Sequence, residues 1–329
     1  MSAGPGQGTW NFWAEVVRNL FGFFRVVRDE FRSNRGRLLV KLLRMLWLGL
    51  FFAVPFLIVA KISFAEAVFG QVPPYTALVE HTADGAASLR LHISSYALLL
   101  QDPLYVAAYL RSLLFASVST LFCLLIGYPM AYGIARAKPA MRLLLMMLVI
   151  LPFWTSSLLR TYAMIGLFKA NGWLSTGLAA LGVIDPGSAV LHTNLAVYIG
   201  IVYNYLPFMV LPLAATLMRL DFTLLEAAAD LGARPMQAFA RITLPLSMPG
   251  IIAGCLLVFI PAVGEFVIPD LLGGPDALTI GRVLWTEFFT NRDWPLASAV
   301  AMAMLALIVV PTLLFEYFEN RREQREASA

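Results

Sequence analysis

Six stretches of this chain contain no Asp, Glu, Lys or Arg: Met45 to Ala60, Ser112 to Ala135, Leu143 to Leu159, Pro186 to Met218, Ile242 to Gly264 and Trp294 to Phe315. In hydrocarbon a backbone has no water to bond, so it must satisfy itself, and about twenty helical residues cross roughly 30 Å. The runs therefore predict an all-α polytopic membrane protein with six transmembrane helices. The rest of the composition agrees, since 60% of the 329 residues are hydrophobic, 13% are charged and mean hydropathy is +0.76, outside the range of an ordinary soluble domain. The first and third runs are slightly short, which requires Arg44, Lys61 or Arg160 to snorkel to an interface.

Lys and Arg set the expected orientation. Eight fall in residues 1–44, three at Arg136, Lys138 and Arg142, three at Arg219, Arg234 and Arg241, and three at Arg321, Arg322 and Arg325. All of these lie on one side of the predicted bundle, and only Lys61, Arg90, Arg111, Arg160, Lys169, Arg282 and Arg292 fall on the other. The asymmetry predicts that both termini are cytoplasmic. The net charge of +4 follows from that topology and gives no reason to invoke nucleic acid.

Ahead of the first run, Trp10, Trp13, Val17, Leu20, Phe21 and Phe24 recur at three- and four-residue intervals, with Arg18, Arg25, Arg28 and Arg32 largely between them. This is the pattern of a helix lying in the membrane interface, with a partly disordered basic tail fitting residues 1–9 nearly as well. No apolar core with a small-residue cleavage site precedes the first run, so no cleaved leader is expected. After that run comes an external, mildly acidic loop carrying Glu66, Glu80, Asp84 and Asp102. Its stretch SLRLHISSYALLL alternates as a short strand or an amphipathic helix would, and periodicity does not separate the two.

Between the fourth and fifth runs stands EAAADLGARPMQAFARITLP, Glu226 to Pro245. Glu226, Ala227 and Ala228 favour a helix, Gly232 permits a reversed φ, and Pro235 can start a second helix. The expected product is a short, rigid helix–turn–helix at the membrane surface. The spacing of Glu226, Ala227, Ala228, Gly232, Ile242, Leu244 and Pro245 resembles the signature of inner-membrane permease subunits of ATP-binding-cassette importers, with no departure at a specified position. That resemblance implies a type I importer permease fold and a segment that docks on a cytoplasmic ATPase. It divides the chain into a cytoplasmic or interfacial helix at 1–44, a first transmembrane helix at 45–63 and a periplasmic loop at 64–104. A permease core follows at 105–318, with its coupling loop at 219–246, and then a cytoplasmic tail at 319–329. It also implies the bacterial inner membrane, a second permease subunit, two ATPase copies that carry the ATP and Mg, and a periplasmic binding protein.

The segment Val258 to Val300, with VGEFVIPDLLGG and NRDWP, resembles polyamine permeases, the putrescine-type subunit most of all. The residue chemistry is compatible with a cationic cargo. Glu265, counted from a fifth span starting near Met248, falls about 26 Å along the helix, near the external mouth. A carboxylate there needs a polar cavity or a partner. Asp270 is a second attractor, and aromatic faces add cation–π attraction, with Trp154, Tyr162, Tyr203, Tyr205, Trp285 and Phe289 as candidates. Tyr203 and Tyr205 flank Asn204 inside the fourth run, whereas Trp154 and Trp285 also suit an interfacial belt.

Other chemistries find no pattern. None of the four lysines follows a glycine, so there is no phosphate-cradling GxxxxGK[ST], and neither a nucleophile elbow nor HExxH occurs. No cofactor is expected on the chain, which is not expected to be an enzyme. Cys123 and Cys255 lie in apolar runs as small hydrophobes. His81, His92 and His192 lack metal-site spacing. Two alternatives stay open: a permease for spermidine, an amino-acid derivative or an oxyanion, and a channel or scaffold that needs no ATPase.

Overall fold

The computed structural model describes residues 35–68, 70–76, 79–81, 87–89 and 91–327, so the interfacial helix expected before Arg35 lies outside the described residues. The chain separates into two units, Met1–Lys61 and Ile62–Ala329. In the first, α1 (Arg35–Leu48) runs through a π-turn at Gly49–Ala53 into α2 (Val54–Ile62). Residues Lys41–Ile62 form one apolar helix long enough to cross a membrane, and none of its apolar window is buried.

The second unit begins with the loop predicted at 64–104, where the sequence pattern left strand and helix open. Both occur in succession. Val79–His81 (β1) pairs antiparallel with Ala87–Leu89 (β2), and Ser94–Gln101 forms helix α3. Among the described residues this hairpin of three-residue strands is the only sheet, and the fold is otherwise helical, as expected. Tyr96 donates from its hydroxyl to Ser63 Oγ at 2.8 Å, which ties α3 back to the start of the loop.

Asp102 accepts from the Leu104 N–H at 2.9 Å and starts α4 (Pro103–Arg136), a helix of 34 residues. At its far end the Arg142 guanidinium donates to Ala135 O at 2.8 Å, satisfying a terminal carbonyl. The third apolar run does not cross as one rod. Helix α5 (Pro139–Ile150) tightens into a 3₁₀ turn at Leu151–Trp154, and α6 (Ser157–Phe168) leaves at 89°. The cause is local: Pro152 supplies no N–H, while Thr155 turns its amide and its hydroxyl onto Pro152 O at 3.2 and 2.8 Å. A short α7 (Trp173–Ala180) follows.

Helix α8 (Asn194–Leu217) is the bundle axis. It packs against α4 and against α11 (Leu244–Val263), which continues without a break from Pro235. Small residues allow the close approach, as expected where lipid gives helices no hydrophobic reason to associate. A Cβ on Gly254 would lie 3.2 Å from Met209 O, and one on Gly250 3.1 Å from Pro212 O. Cys123, Met209, Val210, Leu213 and Val258 are fully buried in the resulting seam. Cys123 and Cys255 are both free thiols.

Beyond α11 the chain folds into α12 (Val267–Leu272), α13 (Ile280–Trp285) and α14 (Trp294–Ala327). By length and composition, four helices among the described residues can cross a membrane, or five if the bent pair counts as one. The apolar part of α14, Trp294–Val310, is shorter. Of the six spans read from the runs, four are helices long and apolar enough to cross, the third is a broken pair, and the last is a shorter apolar helix.

Candidate functional site

Two places carry the candidate residues. The first is the segment around Gly232. Asp221 accepts the Thr223 N–H at 3.0 Å, and that hydrogen bond holds its carboxyl below the usual carboxylate range. Helix α9 (Thr223–Asp230) follows and contains Glu226, Ala227 and Ala228. It ends in a Schellman motif: Ala233 N–H reaches Ala228 O at 2.9 Å, and Gly232 N–H reaches Ala229 O at 2.9 Å. Gly232 sits at φ +79°, the left-handed value its lack of a Cβ permits.

Past the turn, Arg234 N–H donates to Gln237 Oε1 at 3.0 Å and Pro235 opens α10 (Pro235–Ala238). The expected second surface helix is not separate. A π-turn at Phe239–Thr243 carries α10 straight into α11, so Ile242, Leu244 and Pro245 form the base of a long helix. The Phe239 ring meets Tyr128 edge-on at 5.5 Å, and the Tyr128 hydroxyl lies 2.9 Å from Ser247 Oγ, so this base is fastened to α4. At the tip, Leu231 is 89% and Met236 74% exposed on either side of the turn.

The second place is Glu265. Helix α11 ends at Val263, and Glu265 caps α12: its Oε1 accepts from Val267 N–H at 3.0 Å and Ile268 N–H at 3.3 Å. Its Oε2 accepts from the Tyr205 hydroxyl at 2.5 Å. Tyr205 is halfway along α8, about 16 Å from the Asn194 end at 1.5 Å per residue. Glu265 therefore lies just past the end of α11, as the count along the fifth span expects, and level with the middle of α8, because α11 starts at Pro235 and stops against that part of α8.

A cavity of about 500 Å³ opens on this carboxylate, lined by Ser156, Ser157, Tyr205, Gly264, Glu265 and Phe266 among others. Asn204, 5% exposed, donates to Gly200 O at 2.9 Å and accepts from Ser157 Oγ at 3.4 Å, so it holds the bend of the broken pair beside the cavity. Thr279 donates to Glu265 O at 3.2 Å from the start of α13. Gly281, in the first turn of that helix, touches the same loop. A Cβ there would run into Gly264 O and come 2.9 Å from Glu265 O. Gly281→Ala should displace Glu265 without changing any charge and should destabilise the fold by about 1–3 kcal/mol through overpacking. Thermal unfolding of the purified variant against the parent measures it.

The remaining sequence candidates separate. Tyr203 opens on a different, apolar cavity of about 550 Å³ between α4, α5 and α8, and its ring lies 6.0 Å from the Arg160 guanidinium. Arg160 also stands 5.9 Å from Phe153, with Nε and one Nη buried and without a hydrogen-bond partner. Trp154 is 84% exposed, and Tyr162 is exposed. Asp270 pairs with Arg282 at 2.9 Å, which compensates its charge. Trp285 stacks on Phe266 at 4.5 Å and so reaches the Glu265 cavity indirectly. Sequence reasoning missed Ser156, Ser157 and Phe266. The hydroxyl triplet Thr155–Ser156–Ser157 after Pro152, inside an apolar run, was the available signal. Among the described residues no His, Cys, Asp and Glu group is arranged to hold a metal.

A bundle of apolar helices with a proline- and glycine-punctuated helix–turn–helix at one end is the architecture of a transport permease. The chain belongs to the family of binding-protein-dependent transport system inner membrane components, which matches residues 123–324. The spermidine/putrescine transport system permease protein PotB of Haemophilus influenzae is 42% identical over 278 residues, 84% of this chain and 91% of that protein. PotB of Escherichia coli K12 is also 42% identical over 278 residues, and the E. coli inner membrane ABC transporter permease YdcU is 33% identical over 61% of this chain and 68% of its own. In fold, the chain is similar to a crystal structure of a bacterial ABC transporter that imports alginate, with a TM-score of 0.60, 16% identity and coverage of 95% and 99% of the two chains.

Proposed function

We propose that this chain is the permease subunit of an ATP-driven importer for polyamines, with putrescine as the cargo. The observation that carries the reading is Glu265, a carboxylate held against the middle of α8 on a cavity large enough for a small ligand. An ionised group at that depth is costly unless it serves a cavity or a partner. Its negative charge suits a dication and repels an oxyanion. The 42% identity to spermidine/putrescine permeases supports the same cargo class.

In this reading the bent pair and α14 complete six crossings, and both termini and the Gly232 turn face the cytoplasm. A second permease subunit closes the pathway, a periplasmic polyamine-binding protein delivers the cargo, and two ATPase copies supply ATP and Mg. This chain breaks no covalent bond. Leu231 and Met236 enter a groove on an ATPase subunit. Displacement of the turn passes along the continuous helix from Pro235 through the π-turn to α11, and through Phe239 to α4.

The test is ATP hydrolysis by the assembled transporter in lipid with its binding protein, titrated with putrescine, spermidine, an amino acid and sulfate. Putrescine is expected to stimulate at the lowest concentration. Stimulation by spermidine first changes the cargo within its class, stimulation by sulfate or an amino acid removes the polyamine assignment, and failure to recruit an ATPase removes the importer reading.

A further inference from the structure

We infer that a row of aromatic rings ending beside Glu265 is the entry track for the cargo, and that Trp285 and Phe289 present the faces on which its ammonium groups rest. This rests on the reading of Glu265 as the cation site. The row begins at Tyr75 and passes Trp294, Phe288, Phe289 and Trp285 to Phe266, with successive ring centroids 6.2, 5.4, 4.9, 4.1 and 4.5 Å apart. Phe266 lines the Glu265 cavity. Phe289 and Trp285, the fourth and fifth rings of the row, stay accessible, at 55% and 44% exposed. Each is held by a nearly parallel or edge-on neighbour: Phe266 lies within 12° of Trp285, and Phe288 meets Phe289 at 70°.

The far end of the row is acidic. Tyr105 donates to Glu287 Oε1 at 3.1 Å, and Asp102 and Asp293 lie close enough to act electrostatically on the same hydroxyl. Among the described residues none of these three carboxylates has a Lys, Arg or His within ion-pair distance. Their field attracts a cation to the place where the rings start. After a first step of 6.2 Å the rings follow at 5.4 Å or less, within the roughly 6 Å reach of a cation over an aromatic face, so a cation meets the next ring before leaving the last.

The choice of rings over further carboxylates has a physical reason. An aromatic side chain costs little to bury at depth, whereas each additional carboxylate would be expensive and would bind the cargo too firmly to release it inward. Ring faces are negative, so the same track disfavours anions. A diamine spans neighbouring rings and passes its leading ammonium to Glu265 from the last of them.

The test is uptake of radiolabelled putrescine into proteoliposomes holding the complete transporter, with fluorinated tryptophans placed specifically at position 285. Fluorine drains the ring face while leaving its shape nearly unchanged. KM should rise with each added fluorine, to about tenfold for the most fluorinated ring, with Trp285→Leu and Phe289→Leu about five- to tenfold worse than wild type and Trp285→Phe largely restored. A KM that ignores fluorination overturns the track, whatever the Leu variants do, because a packing role responds to shape alone. Glu265→Gln is measured in parallel. If it impairs uptake while the fluorine series stays flat, the track fails and the cation site stands; if it leaves uptake unchanged, the site reading fails on its own account.

Discussion

Replacing Glu265 by Gln is expected to lower putrescine uptake, as kcat/KM, by about a hundredfold while the protein folds and inserts at wild-type levels. The amide oxygen of Gln still accepts from the Val267 and Ile268 N–H groups, now 3.0 and 3.3 Å from Oε1, so the start of α12 keeps its cap. The amide nitrogen replaces the oxygen that Tyr205 now donates to, and the tyrosine oxygen can accept in return. What disappears is one negative charge. Two unit charges 4 Å apart at an effective dielectric near 20 attract by about 4 kcal/mol, and discounting for the half-buried position leaves about 3 kcal/mol, or about a hundredfold. Glu265→Asp, which keeps the charge but withdraws it by about one methylene, should lose roughly tenfold. The measurement is initial-rate uptake of putrescine against concentration in proteoliposomes. Wild-type uptake by Glu265→Gln would leave the carboxylate as a helix cap and nothing more.

Much of the fold was legible in the charge-free runs because insertion into hydrocarbon imposes the helices that composition suggests. Lys41–Ile62 and Pro103–Arg136 contain the runs that announced them, Asn194–Leu217 lies inside its run, and Pro235–Val263 covers all but the last residue of its own. The third run misled because apolarity alone does not say whether a segment is straight. Pro152 and the following hydroxyls turn it by 89°, and a hydropathy window averages over them. The Gly232 turn was readable because one residue type answers a local backbone demand. The merging of its second helix with α11 was not, since a π-turn at Phe239–Thr243 has no sequence signature comparable to a cap. Glu265 was singled out as an acid in an apolar setting, and its neighbour Tyr205 as a ring inside a run. Their meeting at 2.5 Å, and the point on α8 at which they meet, depend on how far α11 travels along that helix, which is a property of packing. Asp270 was readable from sequence as either a second attractor or a solvated loop residue, and the structure instead pairs it with Arg282.

The second large effect is expected at Gly232. Gly232→Val should abolish the coupling of ATP hydrolysis to transport, so that putrescine moved per ATP falls about tenfold or more, with little loss of folded protein. A Cβ at this position would meet nothing within 4 Å, so the substitution causes no clash; its whole effect comes from the backbone. At φ +79° a β-branched residue is strained by about 1–3 kcal/mol, and relief requires the turn to open. Opening breaks the paired bonds from Gly232 and Ala233 to Ala229 and Ala228 and frees α9 from the helix that begins at Pro235. The tip that carries Leu231 and Met236 then swivels independently of the long helix, and motion imposed on it no longer reaches α11 or, through Phe239 and Tyr128, α4. Because the segment is exposed at its tip, the buried seam around Met209 and Leu213 is untouched and stability is retained. Gly232→Asn separates strain from identity, since Asn adopts left-handed φ readily and should transport close to wild type. If Gly232→Val keeps the wild-type ratio of cargo to ATP, the turn is not the element that transmits the motion, and the role assigned to Glu226 through Pro245 falls with it.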